Sequence, residues 1–327
     1  MGLAAGLDHQ LSMTPGKLAL TALTALILFG QNGVKLVGQA PQGPTFKGGV
    51  DVVRVAAVVR DRKGRLVPDL IARDFEVLDE GQPRSITDFR QEAGGVSVAI
   101  LFDVSGSMEG HLPNAREAAA HVLGWLDASR DEAAVFSFDT HLDEWAPFTA
   151  GLKELPASMT AKVPFGETSL HDAIAQTARR AGTREGRRRA VVVLTDGADN
   201  ASRLTPSEVS GIASVIDVPV YIFGIVPSID NPSEDTATLS MERSALAGPL
   251  SDLAAWTGGR VYVASTPGQR SVAARQIVDE LRHQYLIAFE SSGTPGWHPL
   301  VVRARKKDLT VTARSGYIAG QSRPLSF

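Results

Sequence analysis

The sequence predicts an α/β fold: a doubly wound, mostly parallel six-stranded sheet with helices on both faces, plus a small β-rich module built from the N- and C-terminal flanks. Three observations predict it. Runs such as Val96 to Leu101 and Ala190 to Leu194 are apolar at nearly every position, as strands covered by helices on both faces require. They alternate with helix signals: Pro113 ahead of the alanine-rich run Ala115 to Ala120, and the capping box Thr205-Pro206-Ser207-Glu208 with proline at the first helical position. Outside this core, short alternating segments are separated by tight polar turns.

In chain order, Val50 to Val59 is strand-like and is followed by a polar turn containing Gly64, Phe75 to Gly81 reads as a second strand and turn with a glycine stop, and a third short strand runs from Ser85 to Phe89. The core opens on the strand Val96 to Phe102 and the helix Pro113 to Leu126. An antiparallel edge pair follows, Ala133 to Phe138 with Glu144 to Phe148. Helices are expected at Leu170 to Ala181, from Thr205 to Ile216, at Leu246 to Trp256 and at Ser271 to His283, with strands at Ala190 to Thr195, Val218 to Ile225 and Arg260 to Ala264. The tail returns to strands at Tyr285 to Glu290, Leu300 to Arg305 and Leu309 to Arg314. Either flank alone would expose sheet edges over too little core, so the two are expected to combine in a β-sandwich-like module. The expected segments are thus 1–43, a β-rich flank 44–93, the α/β domain 94–284, and C-terminal strands 285–327 that pack with the first flank.

With 327 residues the chain is long enough for about two domains. The formal net charge of −3 gives no electrostatic reason to expect a nucleic-acid partner. Arg187-Arg188-Arg189 is the one dense basic cluster, expected as a solvated loop. The absence of cysteine rules out a disulfide framework and a lipid-modified N-terminal cysteine. Lys17 followed by the uncharged, largely apolar run Leu18 to Phe29, with small residues at Gly38-Gln39-Ala40, makes residues 1–43 a signal peptide or an N-terminal membrane anchor. The run is short against the ~20 residues of a bilayer span. An exported protein, periplasmic, secreted or membrane-anchored, is the expectation.

Chemistry concentrates in Phe102-Asp103-Val104-Ser105-Gly106-Ser107-Met108, a strand-to-helix turn carrying one carboxylate and two hydroxyls at alternate positions. In an open α/β sheet such turns lie at the carboxyl ends of strands, where loops diverge and ligands bind. Two other element ends supply matching oxygens, Thr168 ahead of a helix and Asp196 after the strongest strand signal. Hard oxygens without nitrogen or sulfur suit a small hard cation. Catalytic signatures are missing: Ser105 is not in a G-x-S-x-G elbow, and no H-E-x-x-H, P-loop or cysteine nucleophile occurs, so no enzyme is expected.

These residues resemble the metal-ion-dependent adhesion site of a von Willebrand factor type A (VWA) domain, D-x-S-x-S followed by T and D. Carried over, the metal residues are Asp103, Ser105, Ser107, Thr168 and Asp196, with no position of the motif missing. The flanks, Val58 to Val67 with Asp74 to Gly81 and Tyr285 to Phe289 with Arg314-Ser315-Gly316-Tyr317, are similar to the bacterial family called VWFA-related. The resemblance implies divalent-metal-dependent adhesion to a protein partner whose Asp or Glu carboxylate completes the metal shell, often coupled to movement of the last helix. Mg²⁺ is favoured by the compact ligand set, with Mn²⁺ or Ca²⁺ as alternatives. Two carboxylates ~4 Å apart would repel by about 4 kcal/mol at an effective dielectric of 20, so metal should also stabilise the fold. The alternatives are a structural envelope module with a vestigial site and a Mg²⁺-dependent phosphohydrolase. Glu109, His111, Glu167, Asp199 and Asn200 are expected on the rim, His111 as a solvated helix-entry residue. Asp172 is expected to cap its helix or to hydrogen-bond a metal ligand, and the polar loop 227–243 to form an arm or an insertion.

Overall fold

The computed structural model describes residues 52–91, 94–215, 217–226, 246 and 248–320. The first flank supplies β1 (Val52–Arg60), β2 (Phe75–Asp79), β3 (Gln82–Arg84) and β4 (Ile86–Arg90). The core follows as β5 (Val96–Asp103), α1 (Leu112–Trp125), β6 (Glu132–Phe138), β7 (Leu142–Ala150), the single turn α2 (Ala157–Thr160), α3 (Leu170–Gly182), β8 (Arg188–Thr195), α4 (Pro206–Val215), β9 (Val220–Ile225), α5 (Pro249–Thr257), β10 (Val261–Ala264) and α6 (Pro267–Arg282). The second flank is β11 (Tyr285–Glu290), β12 (Gly296–Ala304), β13 (Thr310–Ala313) and β14 (Gly316–Ala319). The segment read as a signal peptide or anchor and the loop 227–243 lie outside the described residues. Among the described residues no helix is long and apolar enough to cross a membrane.

The central sheet has the order β10-β9-β8-β5-β6-β7, parallel throughout except for β7, which pairs antiparallel at the edge. This is the expected doubly wound six-stranded sheet. Every residue of β5 is buried because its alternate side chains enter two separate cores. Val96, Val98, Ile100 and Phe102 face the layer of α1 and α6. Ala99 and Leu101 face α3, α4 and α5. Small residues set the close fit of that first layer: Ala115, Ala118 and Ala119 of α1 are fully buried, so the helix backbone approaches the sheet closely. β5 lies between β8 and β6, and the helices that follow β5 and β8 run to opposite faces. Their loops part above β5, which makes this end of the sheet a topological switch point.

The flanks form two further sheets, β13-β1-β11-β4 and β14-β12-β2-β3, each mixing strands from both ends of the chain. They enclose a third core in which Phe75, Phe89 and Tyr285 pack with ring centroids 5.1–5.6 Å apart. The Tyr285 hydroxyl donates to the Val67 carbonyl at 2.6 Å and accepts from the Leu70 amide at 3.0 Å, pinning the loop between β1 and β2 over that core.

Several elements depart from the sequence reading. β14 was not expected; it is four residues long, and its pairing with β12 supplies the stabilisation that its own length does not. α5 starts at Pro249 rather than Leu246, because Gly248 at φ 77° breaks the helix and Pro249 opens it. α6 starts at Pro267 rather than Ser271, under a capping box in which the Thr266 side chain accepts from the Gln269 amide. The arginine run is no solvated loop. Arg188 and Arg189 begin β8, and the guanidinium groups of all three arginines donate to main-chain carbonyls: Arg187 to Arg130, Arg188 to Arg282 and Gln284, and Arg189 to Gly182. Two of those carbonyls end α3 and α6, where cations oppose the negative end of the helix dipole.

Candidate metal centre

Asp103 closes β5, and the chain then leaves the sheet through Val104, Ser105 and a short 3-10 turn, Gly106–Met108. The Asp103 carboxylate is buried and collects three donors. Oδ1 accepts from the Ser105 amide at 3.0 Å and from the Ser105 hydroxyl at 2.6 Å, and Oδ2 accepts from the Thr195 hydroxyl at 2.7 Å. Ser105 Oγ in turn lies 3.1 Å from Ser107 Oγ. Ser105 is buried and Ser107 exposed, so the chain of oxygens runs from the sheet end to the surface.

Burial pushes the Asp103 carboxyl up from the ordinary 3.8 to about 6; the bonds from Ser105 and Thr195 oppose the shift, and the charge of Asp196 adds to it. Asp196 is therefore close enough to act on Asp103 electrostatically. Its own Oδ1 accepts from the Ala198 amide at 3.1 Å. Thr168 reaches this end of the sheet through its backbone: its amide donates to Asn200 Oδ1 at 2.8 Å, and its carbonyl accepts from the amides of Asn200 and Ala201. The same loop is stitched to the first one, since Phe165 N donates to Val104 O at 2.9 Å and Gly106 N to Gly166 O at 3.0 Å. Direct bonds thus join Asp103, Ser105 and Ser107, Thr168 is tied by its backbone to Asn200 and Ala201, and Asp196 stands just past the end of the neighbouring strand β8, its charge acting unfavourably on Asp103.

Around these residues, Thr195, His171 and Ser202 make supporting bonds to which the sequence reading gave no role. Thr195 donates to Asp103 and accepts from the Gly197 amide at 3.0 Å, so it orients both its neighbour Asp196 and the buried carboxylate. Its only signal in the sequence is its place beside Asp196. Asp199 accepts from the His171 amide at 2.9 Å and pairs with the His171 ring at 2.8 Å. Burial alone would raise the Asp199 carboxyl, but His171 and Ser202 hold it down at about 2. Asp172 bonds no candidate ligand. It accepts from the amides of Arg203 and Leu204, bracing the loop that follows Asp196 at the start of α3. His111 is the half-buried residue immediately before α1.

The donor chemistry suits a cation. A hydroxyl that gives its proton to Asp103 keeps its lone pairs for another partner, which is what Ser105 does. Among the described residues no three His, Cys, Asp or Glu side chains group to hold a metal, so an ion here would rest on two carboxylates and on hydroxyls.

Fold and donor cluster together define an open α/β domain with hydroxyl and carboxylate oxygens at its switch point. Residues 98–198 match the family model of the von Willebrand factor type A domain, a stretch that includes all five candidate residues. The chain is also similar to solved structures. BatB, a conserved hypothetical protein from Bacteroides thetaiotaomicron, is 19% identical over 57% of this chain and 98% of its own, with a TM-score of 0.45. A von Willebrand factor type A protein from Catenulispora acidiphila is 14% identical over 85% of this chain and 76% of its own, with a TM-score of 0.45. Proximal thread matrix protein 1 from the mussel byssus, described with a zinc-occupied MIDAS motif, is 18% identical over 62% of this chain and 50% of its own, with a TM-score of 0.43. No curated protein matches the chain.

Proposed function

We propose that this protein is a divalent-metal-dependent protein-binding module, in which Asp103, Ser105, Ser107, Thr168 and Asp196 hold the ion and a partner's Asp or Glu carboxylate completes its shell. The observation that carries the reading is the buried Asp103 carboxylate with the Ser105 and Ser107 oxygens ranged from it to the surface. The match of residues 98–198 to the von Willebrand factor type A domain supports it.

Mg²⁺ is the favoured ion, because the donors are small hard oxygens on short side chains in a compact set. Mn²⁺ is tolerated by the same donors. The hydroxyls are neutral, so the ion keeps positive charge to offer an anionic ligand. Export through the N-terminal apolar segment places the module outside the cytoplasm, where such binding serves adhesion or envelope assembly.

Calorimetric titration tests the reading. Mg²⁺ is titrated into metal-stripped protein, followed by an acetylated, amidated Gly-Gly-Asp-Gly-Gly peptide. Saturable metal binding, and peptide binding that appears only with metal and disappears in Asp196→Asn, is the expected result. Peptide binding indifferent to EDTA, or no metal binding, would overturn it.

A further inference from the structure

Val163 and Phe165 stand beside the candidate site with side chains that the hydrophobic core does not use. Phe165 is 80% exposed and Val163 73%, whereas no other large apolar side chain among the described residues exceeds 52%. Isolated exposed apolar residues are ordinary, but here the two barest among the described residues stand only two positions apart. Their backbone is fixed. Phe165 N donates to Val104 O at 2.9 Å, between Asp103 and Ser105 in sequence. On the other side Arg116 Nη2 donates to the carbonyls of Met159 at 3.1 Å and Lys162 at 2.8 Å, and Met159 is buried. Pro164 restricts the backbone between the two exposed side chains. Backbone bonds on either side of the segment thus set where these two exposed side chains stand on the loop that leads to Thr168.

A backbone already tied down suits a binding anchor, because less conformational freedom is lost when a partner covers it. Charge narrows the occupant. Exposed Glu109 and Glu167 lie on the same two loops as the candidate ligands, so without an ion the surroundings repel an acidic segment. They also disfavour an anionic lipid surface. A partner held by its carboxylate alone would depend wholly on the ion, and Phe165 offers the contact that charge does not.

We propose that Val163 and Phe165 form the apolar half of the binding surface, and that the segment it takes carries an Asp or Glu with a leucine-like or aromatic side chain next to it. This rests on the metal-dependent reading above and adds the partner's chemistry to it. The polar half fixes the carboxylate, and the apolar half selects its neighbours.

The probes are three acetylated, amidated pentapeptides, Gly-Gly-Asp-Gly-Gly, Gly-Leu-Asp-Leu-Gly and Gly-Leu-Asn-Leu-Gly, titrated in Mg²⁺ into the whole protein and into the double variant Val163→Ser, Phe165→Ser. The leucine-flanked Asp peptide should bind the parent at least about tenfold tighter than the glycine-flanked one, a factor consistent with covering one large apolar side chain. The Asn peptide should not bind. In the double variant the preference should fall within twofold, while the stabilisation by Mg²⁺ stays at the parent's value, because both side chains are exposed. A parent that is stabilised by Mg²⁺ yet binds the two Asp peptides equally overturns this proposal alone, and one that is stabilised by Mg²⁺ but binds neither Asp peptide overturns both readings. A preference that survives in the double variant overturns this proposal alone. A parent that neither responds to Mg²⁺ nor binds any peptide overturns both readings.

Discussion

Asp103 is buried at the end of β5 with its three donors drawn from two elements, and its carboxyl stands at about 6 against an ordinary 3.8. Without metal the fold therefore favours the neutral carboxyl. Its contribution to stability is complete below about pH 4 and is lost as pH rises through about 6, because the unfolded chain gives up this proton first. A shift of this size corresponds to about 3 kcal/mol. In EDTA, urea unfolding between pH 4 and pH 8 should show the parent losing up to that amount relative to Asp103→Asn, which keeps the shape and removes the charge. Parallel pH profiles for the two proteins would contradict it. A bound cation would compensate the same charge, so a residue that weakens the metal-free fold is the one that rewards metal.

At the scale of elements, glycines set how closely the parts of the core approach. Gly258, at φ 83°, ends α5 in the left-handed region, and Gly259 then passes the start of β9 so closely that a Cβ would lie 2.0 Å from the Val220 carbonyl oxygen. Main chain is met on main chain, and no rotamer change relieves it. Gly259→Ala should cost about 3 kcal/mol or more in urea unfolding, as overpacking against a fixed neighbour does. Elements of this kind show what the sequence can disclose. β5 and β8 are legible because burial on both faces leaves an unbroken apolar run, and the string from Asp103 to Ser107 is legible because its oxygens are local. Thr195 is not, since its bond to Asp103 exists only through the parallel register of β5 and β8. Nor are the exposed Phe165 and the arginines of β8. A run of three arginines normally signals solvent, and only the folded chain reveals the carbonyls at the ends of α3 and α6 that they meet. β14 escapes for the same reason, being defined by its partner β12.

Across the whole molecule, the two flanks interleave and also grip the α/β core. Glu280, buried in α6, accepts from the Tyr262 hydroxyl of β10 at 2.5 Å and pairs with Arg60 at the end of β1, so one carboxylate ties the last helix to the central sheet and to the sandwich. Stabilisation at the oxygen cluster should therefore register in the unfolding of the core as a unit. An ion at about a hundred times its dissociation constant adds about 2.7 kcal/mol, which moves the midpoint of a domain of this size by about 5–10 °C. The decisive measurement is thermal unfolding of the purified protein at pH 7.5 in EDTA, Mg²⁺, Mn²⁺ and Ca²⁺, beside Asp103→Ala. A rise of that order with Mg²⁺ or Mn²⁺ in the parent, and none in the variant, is the predicted result. Equal midpoints in EDTA and in every metal for the parent, or a metal-induced rise that persists in Asp103→Ala, would contradict the account.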